Sequence, residues 1–246
     1  MKRDLQLTLD TEAATLRREW AEEGVPVLTA ELTLPEPVGP LSRAARRIGR
    51  YYQAQGRAYL RYCEHWLFPL AAEEFRQAAA CGAPLPCWRA SLGYRVTYNE
   101  AGWWSLYTQS RETDGRRTEL LRRGDTWDLA SGRLLPLTDF LGGRSLLWRR
   151  RLRLLAAEEI RRQEAAGVSR YCADWSARLR KSLSRDNFYL TPEGLCFFFQ
   201  MYALAPAAEG VPVFLLPFGP DGCVLPARPG AEPPPPPDGA AGISRV

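Results

Sequence analysis

Carboxylates are the first residues in this sequence whose type and spacing could do chemistry. Glu100, Glu112, Asp114, Asp125, Asp128 and Asp139 gather near its middle. Two carboxyl groups held close together can divide acid and base duties in glycoside hydrolysis. Most of these six, however, stand in segments that read as turns, where a short acidic side chain bonds its own loop. Turn chemistry is therefore expected of them. An enzyme acting on cell-wall glycan or an acidic substrate stays as an alternative, and a carboxylate pair of raised pKa lining a cleft would be its sign. His65 is the sole histidine and lies two residues from Cys63. Positions two apart on a helix diverge by about 200°, so the two form no local dyad, and Trp66 and Leu67 point to a packed histidine. Cys63, Cys81, Cys87, Cys172, Cys196 and Cys223 contain no C-x-x-C pair, and one histidine with scattered cysteines assembles no zinc site. Phosphate-loop, dinucleotide and nucleophile-elbow motifs do not occur. No catalytic residue, metal or cofactor is expected.

Arginines are the second group. All but two of the 33 basic residues, Lys2 and Lys181, are arginine, and the net charge is +5 with a pI near 9.0. The densest run, Arg144, Arg149, Arg150, Arg151 and Arg153, adjoins Trp148 in a helical segment, 144–162. Guanidinium forks suit phosphate, and an aromatic among them can stack a base. Yet the arginines of 149–153 wrap most of the way round a helix, and Glu158 and Glu159 follow a turn later. That is the pattern of a solvated helix, so nucleic acid is kept as a second alternative and not as the expected partner.

Aromatic residues are the more unusual feature. Trp103, Trp104, Tyr107 and Trp127 fall in strands that read as paired, and Phe197, Phe198, Phe199, Tyr202, Phe214 and Phe218 near the end of the fold. Strand alternation sends half of each set to either face. A face left uncovered would be a binding surface for protein or glycan, and Trp103, Trp104, Tyr107 and Trp127 are the candidate binding residues.

The elements that must position these groups follow from periodicity. Leu5–Leu9 and Val25–Leu34 read as strands, the second by strict alternation, with a short helix over Thr11–Glu23 between them. Pro35, Pro37 and Pro40 precede Ser42, an N-cap for a long helix reaching about Ala80, which Pro69 should kink or split. Ser91–Tyr98, Trp103–Ser110 and Arg117–Leu129 form a β region with turns at Asn99–Gly102, Thr113–Gly115 and Asp128–Gly132. Helices are expected over Ser145–Glu164 and Tyr171–Lys181, then strands at Asn187–Leu190, Leu195–Met201 and Val211–Phe218. Without βαβ alternation the fold class is α+β, an antiparallel sheet covered by helices. The divisions are 1–86 (strand and long helix), 87–219 (an α+β domain) and 220–246, where Pro233–Pro237 and the glycines suggest a disordered tail.

Composition bounds the class. With 46% hydrophobic and 25% charged residues the chain is an ordinary globular protein, not a disordered, collagenous or disulfide-stapled one. No stretch has the ~20 apolar residues of a spanning helix, and the first residues lack the apolar run of a secretion signal. No membrane partner is expected, the expected location is the cytoplasm, and the cysteines should be free thiols.

Three segments resemble a known family. Thr126–Phe140 (TWDLASGRLLPLTDF), Asp186–Phe199 (DNFYLTPEGLCFFF) and Tyr202–Gly210 (YALAPAAEG) are similar, in that order, to the RsiV-like C-terminal domain, a domain of unknown function. It occurs in RsiV-type anti-sigma factors and PdaC-type peptidoglycan deacetylases, and the region Val25–Ala80 is similar to the domain that precedes it there. The matching residues close turns and fill a hairpin core, and none of them is a catalyst. In RsiV the domain binds lysozyme, and in PdaC deacetylation belongs to a separate domain. The resemblance thus implies protein binding and no enzyme activity, and a sigma-factor role is not carried over. The expectation is a non-catalytic binding or interaction protein.

Overall fold

A computed structural model of the protein describes residues 8–142, 147–219 and 221–226. Strand β1 (Thr11–Glu22) and strand β2 (Val25–Pro37) form a long hairpin. Its turn residues Glu23 and Gly24 both have positive φ, 50° and 82°, the two-residue geometry that matches strand twist. The short helix expected over Thr11–Glu23 is therefore a strand. Only Trp20 of β1 is buried, so no apolar alternation marks it, and the ladder to β2 overrides local helix preference. Of the strand expected at Leu5–Leu9, residues 5–7 lie outside the described residues. Leu9 is buried and exchanges two hydrogen bonds with the Asn99 amide.

Helix α1 (Arg43–Tyr62) begins where Ser42 Oγ accepts from the Ala45 N–H at 3.0 Å. It runs through a π-turn, Cys63–Leu67, into α2 (Phe68–Ala80). The break comes just ahead of Pro69, whose ring would meet the carbonyl one turn back. The wider turn also corrects the helix phase. Cys63, Leu67, Ala71 and Phe75 are all buried, although four-residue steps on an unbroken helix would carry the last about 120° from the first. Residues 64–66 turn outward instead. His65 is exposed, and Trp66 is 68% exposed, so the packed position expected for that histidine is not found.

Strand β3 (Trp88–Glu100) returns beside β2 in parallel register, Leu28 opposite Trp88 and Leu32 opposite Leu92. A parallel neighbour needs a long crossover, which α1 and α2 provide. Strands β4 (Trp103–Thr113), β5 (Thr118–Asp128) and β6 (Arg133–Leu134) follow antiparallel, giving a six-stranded sheet in chain order. Helices α3 (Trp148–Ala165) and α4 (Trp175–Ser182) precede a second antiparallel sheet, β7 (Phe188–Thr191), β8 (Gly194–Phe198) and β9 (Val213–Pro217). The fold class is α+β with a mainly antiparallel sheet, as the sequence suggests. The start of the helix expected from Ser145, with Arg144, lies outside the described residues. So does the expected tail beyond residue 226, while Cys223 is buried and the Val224 N–H donates to the Phe140 carbonyl. Among the described residues no helix is long and apolar enough to cross a membrane.

The two faces of the large sheet carry different partners. Trp104 and Leu106 of β4 pack with Ala45, Ile48 and Tyr52 of α1. Leu28 and Leu32 of β2 pack with Cys63, Leu67 and Phe75. On the opposite face Trp103 joins Phe188, Phe197 and Phe214 of the small sheet, which Leu152, Ile160 and Leu179 cover from α3 and α4. Between these aromatic contacts the two sheets come together at points with almost no side chain between them. A Cβ on Gly124 of β5 would fall on the Phe188 carbonyl. One strand over, the buried Ser105 Oγ accepts from the Leu190 N–H at 2.9 Å and lies 2.8 Å from the Thr126 hydroxyl.

Gly124→Ala must separate the sheets or bend β7 and should cost about 1–3 kcal/mol in urea unfolding, the range of an overpacked core. Gly93→Ala, where a Cβ meets nothing within 4 Å, should be neutral or stabilising by ~0.4–1 kcal/mol.

Candidate functional site

Register decides which polar side chains of β4 and β5 share the α1 face. Thr108, Ser110 and Glu112 follow Trp104 and Leu106 at steps of two along β4, and Glu112 stands directly opposite Glu119 of β5. Arg123, Asp125 and Trp127 continue the same face of β5. At one end α1 closes over these residues. Farther along it leaves an open groove of about 650 Å3, lined by Gln55, Tyr59 and Tyr62 from α1, Glu112, Glu119 and Arg123 from the sheet, and Met201 and Tyr202 from beyond β8.

The closed end is a buried polar network. The Trp127 Nε1–H donates to the Tyr52 hydroxyl at 2.9 Å, and that hydroxyl donates to Asp125 Oδ2 at 3.2 Å. Arg123 Nε donates to Asp125 Oδ1 at 3.2 Å and its guanidinium lies 5.7 Å from the Tyr51 ring. Burial is the main cause that raises the Asp125 pKa, against the lowering pull of Arg123. Burial and the Asp125 charge push Tyr51 up to about 12.

The open end centres on Glu112. Its carboxylate accepts from the Tyr62 hydroxyl at 2.9 Å and the Tyr59 hydroxyl at 3.3 Å. Burial raises its pKa, the tyrosine bonds lower it, and the facing Glu119 raises it again. Tyr62 and Tyr59 are raised well above 10, first by burial and then by the Glu112 charge. Gln55 is half satisfied. Its Nε2 donates to Thr108 Oγ1 at 3.0 Å, while Oε1 is buried with no partner among the described residues. The far wall is fixed by Gln200, whose amide pairs with an open stretch of β5: it accepts from the Arg122 N–H at 2.9 Å and donates to the Arg122 carbonyl at 2.6 Å.

The four aromatics singled out from the sequence are not gathered on an open face. Trp104 and Trp127 are buried under α1, and Trp103 is buried on the opposite side against Phe140. Tyr107 packs on Tyr189 beneath the small sheet, with the Arg122 guanidinium 4.2 Å from its ring. Helices and the second sheet cover both faces where these residues stand. Of the six acidic residues, Asp114 and Asp128 do turn chemistry, accepting from the Arg117 and Ala130 N–H groups respectively. Glu112 and Asp125 do not, because both stand within the β4–β5 ladder on the α1 face. The signal for them was available in alternation, since each falls an even number of residues from a buried neighbour, Leu106 and Trp127. Arg149 and Arg150 are exposed. Among the described residues no group of histidine, cysteine and acidic side chains could hold a metal ion.

Residues 149–219 match DUF3298, described as a protein of unknown function, and this segment holds α3, α4 and the small sheet. Two solved structures of that family share the fold. A member from Bacteroides fragilis is 16% identical with a TM-score of 0.63, over 87% of this chain and 92% of its own. A DUF3298 family protein from Pseudomonas aeruginosa is 17% identical with a TM-score of 0.52, over 90% and 98%. No curated protein matches the chain.

Tyr52→Phe removes the hydroxyl that joins Trp127 to Asp125, leaving the buried Trp127 N–H unpaired while Asp125 keeps Arg123. It should lower unfolding stability by about 1–3 kcal/mol for the group so left. The pH dependence has a definite sign. A carboxyl whose native pKa is raised binds its proton more tightly when folded, so stability falls as pH rises from the ordinary value near 4.5 through the raised one. Chemical unfolding across that window should show this decline, and Glu112→Gln should flatten its share of it.

Proposed function

We propose that the protein is a non-catalytic binding module whose ligand enters the groove between α1 and the β4–β5 face. The observation that carries this reading is the buried Oε1 of Gln55, without a partner among the described residues, in the same open groove as the Glu112–Glu119 pair. A buried acceptor without a donor costs free energy, and a ligand that supplies the donor recovers it. Among the described residues that line the groove the one cation, Arg123, is held by Asp125. The groups left to a ligand are therefore mostly acceptors, which suits a neutral or cationic ligand rich in hydroxyl or amine donors. The exposed Leu121 and Tyr202 on the rim provide apolar contact. The RsiV-like resemblance, with protein binding as its implication, favours the same class of function.

The second reading, an enzyme acting on cell-wall glycan, is favoured by one observation: Glu112 and Glu119 face each other across two strands, and the Glu112 pKa is raised. Against it, both Glu112 oxygens already accept tyrosine hydroxyls.

The test is a thermal-shift and NMR titration with amino sugars, neutral polyols and acidic sugars as probes. Amino sugars or polyols should stabilise the protein and perturb Gln55, Tyr59 and Tyr62. Gln55→Leu and Glu119→Gln should each weaken that binding at least about tenfold, a loss of ~1.4 kcal/mol. Equal binding by the variants would overturn the groove as the site. Release of cleaved glycan, abolished by Glu112→Gln, would replace binding with catalysis.

A further inference from the structure

Helix α1 has a second face, turned away from the groove and the core. Arg43, Arg46, Arg47, Arg50, Arg57 and Arg61 are all exposed, and no acidic residue occurs anywhere in the helix. At about 100° per residue the six fall within an arc of about 100°, opposite the buried stripe of Ala45, Ile48 and Tyr52, and span about 27 Å of helix. Among the described residues none of the six forms an ion pair, although arginines elsewhere do, for instance Arg76 with Glu22 and Glu73. Glu64, just past the helix end, is engaged by Arg18. Among the described residues their side chains make hydrogen bonds at one place, where the Arg46 guanidinium donates twice to the Leu41 carbonyl, at 3.3 and 3.1 Å.

Like charges so aligned repel, and a surface of this kind is relieved by an anionic partner. What the stripe lacks narrows the partner. It carries no Trp, Phe or Leu between its arginines: the residues interleaved on that side are Gln53, Ala54 and Ala58. A membrane-surface helix needs an apolar face to sink below the headgroups, and a protein interface takes its affinity from buried aromatic or aliphatic anchors. Guanidinium forks on phosphate need neither.

We propose that the outer face of α1 is a docking surface for nucleic acid, gripping the phosphate backbone without reading bases. The charge complementarity is between a straight row of forks and the regular phosphates of one backbone. The arginine-rich segment at α3 is not the site: its charges spread round the helix, and Arg149 is turned onto the Trp148 ring at 5.1 Å.

The experiment is fluorescence anisotropy of the intact protein with a labelled DNA duplex of mixed sequence. If about four of the arginines engage phosphates, affinity should fall by about a hundredfold between ~50 and ~200 mM salt, with little change between duplex sequences. The double variant Arg47→Glu/Arg50→Glu should bind at least about tenfold more weakly and reduce the salt slope by about two. Its circular dichroism and melting temperature should stay unchanged, because neither side chain has an internal ion-pair partner. Arg149→Glu/Arg150→Glu, with the same change of charge, should bind as the wild type does. No salt-sensitive binding, binding unaltered by the α1 variant, or binding only to vesicles of anionic lipid would each overturn the proposal.

Discussion

The structure depends on how closely two sheets can approach at Gly124 and Ser105, where almost no side chain stands between the backbones. At Gly124 the backbone of β7 passes against the backbone of β5, and at Ser105 a single hydroxyl replaces the strand that would otherwise accept the Leu190 N–H. This contact fixes where the hairpin of β7 and β8 lies, and hence where the chain emerges after Phe198. From there Gln200 reaches Arg122 and satisfies an open stretch of the β5 edge with its amide. An unpaired strand edge is a liability that must be covered. Here the cover is also the far wall of the groove. A methyl group at residue 124 therefore bears on a site whose walls come from three distant parts of the chain.

The groove itself results from which strand α1 follows. Gln55, Tyr59 and Tyr62 of the helix reach Thr108 and Glu112 of β4, while Glu119, Leu121 and Arg123 of β5 stay exposed beside it. Where the helix closes over both strands the face is filled by Trp104, Leu106 and Trp127. Farther along the same alternation delivers Thr108, Ser110, Glu112 and Glu119. The transition from core to site is thus a change of residue type along one unbroken register. The network of Tyr52, Asp125 and Arg123 marks the boundary: it is buried like the core but polar like the groove.

Much of this architecture was legible in the sequence where one face is apolar and the other wet. The alternation of Val25–Leu34, the capped helix after Ser42 and the glycine turn before β8 each state their own structure. Strand β1 was not legible, because nearly every side chain on it meets water and its conformation comes from a partner strand. The parallel pairing of β2 with β3 was hidden for a related reason, since strand periodicity does not record the direction of a neighbour. For the site, the aromatic residues drew attention by size, yet Trp103, Trp104 and Trp127 pack inward as bulk. Glu112 passed for a turn residue because its neighbours Asp114 and Gly115 do form a turn. Its partners Tyr59 and Tyr62 belong to a helix some fifty residues away in sequence, a separation no local pattern crosses.

The π-turn at Cys63–Leu67 has a consequence for what each half of the long helix can present to solvent. One inserted residue rotates everything after it, so the outward faces of α1 and α2 do not continue one another. Where the row of guanidinium groups stops at Arg61, the outward side of α2 carries Glu73 and Arg76, and Arg76 is shared between Glu73 and Glu22 of β1. The insertion thus acts as a ruler as well as a hinge of phase: it marks where a purely basic rod ends and one of mixed, paired charge begins, within what is otherwise a single helix.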